Sequence, residues 1–218
     1  PLADMTSAYD TVSHIAMSVA SNVYTMPQDA NERLITHVGG HARVVNTAYG
    51  LGDISKAEKL TGGFAQGANS SPDLFIWALT PAHEYAESKL KGYKLVTHEE
   101  EAEVKLANYA DDDSPFNGGE ASTKQEAEAI LNETQEGVEA LGIGCVIAGV
   151  RMNQSKCFLN MSPQARKLLG TPLLKLVAIN AHGRLVKGDV TLVATEGDPE
   201  GATAEERGAT RYLGAWLA

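Results

Sequence analysis

Apolar residues recur at helical spacing near the start of the chain, at Tyr9, Val12, Ile15, Val19 and Val23, with Ser, Asp and His between them. Steps of three and four residues gather side chains on one face, so this stretch predicts an amphipathic helix. Pro27 to Val38 predicts a second, shorter helix ended by Gly39-Gly40, and Ala42 to Tyr49 a strand. Glycine, serine and asparagine then dominate. This predicts an irregular glycine-rich loop over 50–72, interrupted by a helical turn at Ile54 to Leu60.

From Asp73 the pattern sharpens. Leu74-Phe75-Ile76-Trp77-Ala78-Leu79 is an unbroken apolar run that reads as a strand with Trp77 in the core. Thr80-Pro81 then has the chemistry of a helix start, since a Thr side chain caps free N–H groups and Pro lacks an N–H that the first turn would leave unpaired. Lys89 and Lys91 complement a helix C-terminus and Gly92 ends it, before a strand over Tyr93 to Thr97. The same order of strand, Ser/Thr-Pro, helix, Gly, strand recurs at Cys157 to Met161, Ser162-Pro163, Gly170 and Leu173 to Ala181. Between the two lie an acidic loop, 108–121, and a strong helix from about Ser122 to Leu141.

Beyond Gly142 the pattern predicts strands at Ile143 to Met152, Cys157 to Met161, Leu173 to Ala181 and Val190 to Thr195. Tight turns are expected at His182-Gly183 and Lys187-Gly188-Asp189. Short links of this kind join antiparallel neighbours. The fold class read from the sequence is therefore α+β, a mainly antiparallel sheet from the second half with helices packed on one face. After Gly197-Asp198-Pro199 the segment 204–218 reads as an amphipathic helix that sets Tyr212, Leu213, Trp216 and Leu217 on one face. That stripe either contacts another subunit or caps its own domain.

Composition narrows the functional classes. With 218 residues and 43% hydrophobic content the chain can bury the core of a single globular domain, 1–218. A net charge of −10 and the lack of a dense Lys/Arg run argue against nucleic acid as a direct partner. Asp4 and Asp10 disagree with a secretory signal, and no stretch approaches the roughly 20 apolar residues that span a bilayer. Cys145 and Cys157 lie outside any CxxC motif and fit a reduced compartment. The expected location is the cytoplasm or a virion, with no membrane partner.

Candidate chemistry is sparse. Gly62-Gly63-Phe64-Ala65-Gln66-Gly67 has phosphate-loop glycines, but Ala68-Asn69 replaces the Lys and hydroxyl that hold phosphate and Mg²⁺. His37 and His41 have the i, i+4 spacing of zinc ligands, with Glu32 upstream, yet Gly39-Gly40 breaks the helix that would align them. Asp111-Asp112-Asp113 offers oxygens to Ca²⁺, but Pro115 and Lys124 spoil the register of an EF-hand. A flexible acidic loop is the expectation there. Cys157 and Ser70 lack the setting of an activated nucleophile, and His83, His98 and the charges at Glu99, Glu100, Glu101, Glu103 and Lys105 read as solvated. No catalytic residue, cofactor or metal follows.

The order of an apolar run with Trp77, a short helix, Lys91-Gly92-Tyr93-Lys94-Leu95-Val96, an acidic run and a Met161-Ser162-Pro163 helix start resembles small virion-associated proteins of tailed bacteriophages. The resemblance implies a structural or assembly role through protein–protein contacts, with other protein subunits, in a homo-oligomer or larger assembly, as partners. An α+β enzyme, such as a metal-dependent hydrolase with a site assembled from distant residues, is the competing class.

Overall fold

A computed structural model describes residues 3–6, 8–39, 42–43, 46–48, 50–51, 58–59, 62–64, 69–96, 100–109, 112–153, 157, 159, 161–170, 172, 174–179, 184–190, 210–212 and 215–217. In chain order the elements are β1 (Ala3–Thr6), α1 (Ala8–Thr11), α2 (His14–Val23), α3 (Gln28–Gly39), β2 (Ala42–Arg43), β3 (Asn46–Thr47), β4 (Gly50–Leu51) and β5 (Glu58–Lys59). They continue with α4 (Ser71–Glu87), β6 (Tyr93–Val96), β7 (Glu101–Val104), β8 (Leu106–Tyr109), β9 (Asp112–Pro115), α5 (Lys124–Ile147) and β10 (Arg151–Met152). The last are α6 (Pro163–Leu169), β11 (Leu174–Ile179), β12 (Leu185–Val190), β13 (Thr210–Tyr212) and β14 (Ala215–Leu217).

The fold is α+β, and every pairing between named strands is antiparallel. The largest sheet has the order β10-β1-β9-β8, so the N-terminal strand sits at its centre between partners from later in the chain. β11 pairs antiparallel with β12, Leu174 opposite Val190, so the partner strand is Leu185–Val190 and not the Val190 to Thr195 that the apolar runs predict. Lys187-Gly188-Asp189 therefore lies inside β12 and is not a turn. His182-Gly183 and Thr191 to Thr195 lie outside the described residues.

Two long helices carry the core, and both run through residues that the sequence pattern treats as boundaries. The run Leu74 to Leu79 is helix, not strand, because Pro72 and Asp73 suit a first turn and α4 starts ahead of the run, at Ser71. Its buried positions, Phe75, Ala78, Leu79, Ala82, His83 and Ala86, keep helical spacing straight through Pro81. Thr80 is not a cap; its hydroxyl donates to the Ile76 carbonyl at 2.8 Å. Pro81 cannot donate to the Trp77 carbonyl, and the helix tolerates this one lost bond. Trp77 is half-buried against the core, and its indole N–H donates to Ser21 Oγ at 3.1 Å.

α5 begins at a capping box. Thr123 Oγ1 accepts from the Glu126 N–H, and the Glu126 carboxylate accepts from the N–H groups of Ser122 and Thr123. The helix continues past Leu141 to Ile147, so Ile143 to Ile147 is not strand and only Arg151–Met152 is extended. Its interior glycines serve packing. A Cβ on Gly144 would lie 2.4 Å from Ala82 Cβ, and one on Gly142 would lie 3.0 Å from the Val177 carbonyl oxygen. α5 thus packs between α4 and β11. It stops at Gly149, whose φ of +83° admits paired bonds from Val150 N–H to Cys145 O and Gly149 N–H to Val146 O.

The N-terminal helical pattern is broken by Ser13, which caps α2 and separates it from α1. α2 packs on α4 and α3 packs on α2. Gly62 and Gly63 are a packing device for this region: Gly63 N–H donates to Val12 O at 2.7 Å and Phe64 N–H to Tyr9 O at 2.6 Å. Any Cβ on Gly63 would meet Asp10 O at 2.5 Å. Further on, Glu58–Lys59 is strand, contrary to the helical turn expected there. Residues 157, 159 and 161 are not strand, whereas α6 starts at Ser162-Pro163 as predicted.

Candidate functional site

Two features stand out chemically, one inside the molecule and one on its surface. His83 is on the buried face of α4, and Asp113 is on β9, between β1 and β8. Packing α4 over the sheet brings the His83 ring nitrogen Nε2 to 3.2 Å from Asp113 Oδ2, with side-chain exposures of 10% and 0%. Both residues are thus buried, contrary to the solvated histidine and flexible acidic loop expected from the sequence. Burying a carboxylate is tolerated where a donor such as this N–H meets it. Among the described residues Asp113 Oδ1 has no hydrogen-bond partner.

The signal for His83 was present in the chain. Counting back from Ala86 by helical steps reaches His83, Ala82, Leu79 and Phe75, but reading Leu74 to Leu79 as strand hides that periodicity.

Cys145, on α5, is fully buried within reach of the Asp113 charge. Burial pushes its thiol pKa well above the ordinary value, and the Asp113 charge and Cys157 push it the same way. A thiol held protonated is a poor nucleophile and a poor metal ligand. Cys, His and Asp are the residue types of a nucleophilic triad, but the electrostatics of one are missing, and the observed bond between His83 and Asp113 ties α4 to β9.

The remaining sequence candidates are dispersed. His37 is exposed in the last turn of α3, and His41 lies outside the described residues. Near His37 a depression of about 460 Å³ is lined by Asp29, Glu32, Arg33 and Thr36. Its walls belong to one exposed helix face, so it lacks the enclosure that buries a ligand. Among the described residues, no group of three His, Cys, Asp or Glu side chains converges to hold a metal ion. Among them also, no helix is long and apolar enough to cross a membrane.

The C-terminal stripe takes a different form from the one expected. Tyr212 is in β13, and Trp216 and Leu217 are in β14, the two strands forming an antiparallel hairpin with Thr210 opposite Leu217. Leu213 lies outside the described residues. The helical spacing that grouped the four residues therefore does not apply to this backbone.

The surface feature is on α2. The sequence pattern assigns Ile15, Val19 and Val23 to the buried face, but the structure buries Met17, Ala20 and Ser21 and exposes Ile15 by 77%, Val19 by 53% and Val23 by 58%. These three recur every fourth residue, so they form one stripe. No protein-family model matches this chain, and no curated protein matches it. The functional reading thus rests on the chain's own surfaces. Among the described helices α2 alone contains no Asp, Glu, Lys or Arg, so the stripe has no charged residue of its own helix beside it. Below its C-terminal end, Tyr24 packs on Trp77 with ring centroids 5.3 Å apart. Partial burial first, and the neighbouring Glu84 carboxylate second, push the Tyr24 pKa up to about 12.

Proposed function

We propose that this protein is a structural or assembly component that acts through contacts with other protein subunits, in a homo-oligomer or larger assembly. The observation that supports the reading is the exposed stripe Ile15, Val19 and Val23 on a helix without charge. Isolated exposed apolar residues need no explanation, but a contiguous row on one helix face is the usual form of a docking surface. The resemblance of the Asp73 to Ala165 region to tailed-bacteriophage virion proteins favours a particle as the setting. The C-terminal residues Tyr212, Leu213, Trp216 and Leu217 are a second proposed contact.

Sedimentation velocity tests this reading. The wild-type chain should form species heavier than 23.1 kDa, and Val19→Glu should shift them toward the single-chain mass while leaving the far-UV circular dichroism unchanged. A wild-type chain that sediments as a monomer at every concentration overturns it.

A further inference from the structure

The β6–β7 hairpin is a pair of strands with little else beside them. Among the described residues no third strand joins this sheet, and every described residue from Tyr93 to Glu103 is exposed. Among the described residues the lateral cover on β6 is at its base, where Gly92 bridges Asn117, the Gly118 N–H donates to Gly92 O and Gly118 lies against the Tyr93 ring. A lone two-stranded ribbon is marginal in water, and each strand beyond that base keeps a row of backbone donors and acceptors on its outer edge.

The side chains show what would complete it. Side chains alternate between the faces of a strand, and the register sets Tyr93 opposite Val104 and Leu95 opposite Ala102. These four form one apolar face, with Tyr93 exposed by 50% and Leu95 by 47%. The other face holds the exposed Val96 and three charges whose signs are segregated by strand: Lys94 is on β6, and Glu101 and Glu103 are on β7. Glu103 is already engaged, opposite Lys94 and 3.7 Å from Lys105 Nζ. Lys94 and Glu101 have no ion-pair partner among the described residues.

We infer that the outer edge of β6 pairs with the outer edge of β7 from a second copy of this chain, with Lys94 opposite Glu101 of the neighbour. This rests on the reading of the protein as an assembly component and names its partner. Charge segregation disfavours pairing β6 with β6 or β7 with β7 and favours β6 with β7. Because alternation has a period of two, the register that sets Lys94 against Glu101 also sets Tyr93 against Ala102. The apolar faces of successive copies then become continuous. In the order β6, β7, β6, β7 every neighbour is antiparallel, as within the hairpin itself. Such a contact uses two different edges, so it is head-to-tail and builds a ring or a filament.

Two single charge reversals test this in trans. Lys94→Glu has acid on both edges, and Glu101→Lys has a lysine at each of the two contact positions. Each alone should self-associate at least tenfold more weakly than the wild type by sedimentation velocity. Mixed in equal amounts the two should assemble, because every junction between unlike copies again opposes Lys to Glu. Wild-type assembly that survives both reversals, or reversals that the mixture does not rescue, overturns the hairpin contact and leaves the assembly reading standing. A wild-type chain that is monomeric at every concentration overturns both.

Discussion

At the scale of single residues, the buried pair of His83 and Asp113 is the most consequential feature for stability. Asp113 is fully buried and its Oδ1 has no partner among the described residues, so the bond from His83 is what compensates its desolvation. Removing the partner of a buried charge costs about 3–5 kcal/mol, because the charge left behind has neither water nor a donor. His83→Ala should therefore lower the unfolding free energy by about that amount in urea titration. The double variant His83→Leu/Asp113→Leu should recover much of the loss, since it removes the unpaired charge as well as the bond. A double variant no more stable than His83→Ala would show that the carboxylate has another partner. His83 follows from the helical spacing of α4 once Leu74 to Leu79 is read as helix, whereas Asp113 could not be placed from its sequence neighbours. Asp113 sits in a run of three aspartates that has the composition of a solvated loop, and it is brought inside by the pairing of β9 with β1, from the start of the described chain, under α4.

Among the elements, those marked by local capping chemistry were legible and those shaped by distant contacts were not. α3, ending at Gly39, and α6, starting at Ser162-Pro163, follow from breakers and caps within a few residues. β6 and β11 follow from apolar runs bounded by glycine. α4 and α5 overrun their predicted limits because Pro81, Gly142 and Gly144 resemble boundaries locally, while the facing Ala82 and Val177 that call for the two glycines are far away in sequence. On α2 the period was right and the face was wrong: smaller Ala20 and Ser21 fit under α4, and the larger aliphatic residues were left outside. The start of α5 offers a direct measurement. Thr123→Ala removes the side-chain cap and should cost about 1 kcal/mol. The reciprocal bonds from the Ser122 and Thr123 N–H groups hold the Glu126 carboxyl below its ordinary value of 4.5. A carboxyl with a lowered folded-state pKa contributes stability above its unfolded pKa, and that contribution fades as pH falls through the folded value. The cost of Glu126→Gln should accordingly be larger at pH 7 than at pH 3, as read by chemical denaturation at the two pH values.

At the scale of the whole molecule, the proposed α2 and hairpin contacts must form between chains that each have a net charge of −10 and so repel one another. That repulsion reaches about 30 Å at about 0.01 M salt and only about 8 Å at about 0.15 M. The two surfaces answer this in different ways: α2 offers a helix with no charge, and the hairpin offers opposite charges on its two edges. Their variants should therefore respond to salt differently. Lys94→Glu introduces a like-charge pair at an exposed edge, where counterions reach it, so its association should rise steeply as salt increases from about 0.01 M to about 0.15 M. Val19→Glu instead requires a carboxylate to be buried in an apolar contact. Its penalty is loss of hydration, which screening does not relieve, so association should remain weak over the same range. Light scattering across a salt series measures both. Equal recovery of the two variants would mean that α2 remains hydrated in the assembly and that its stripe is not buried there.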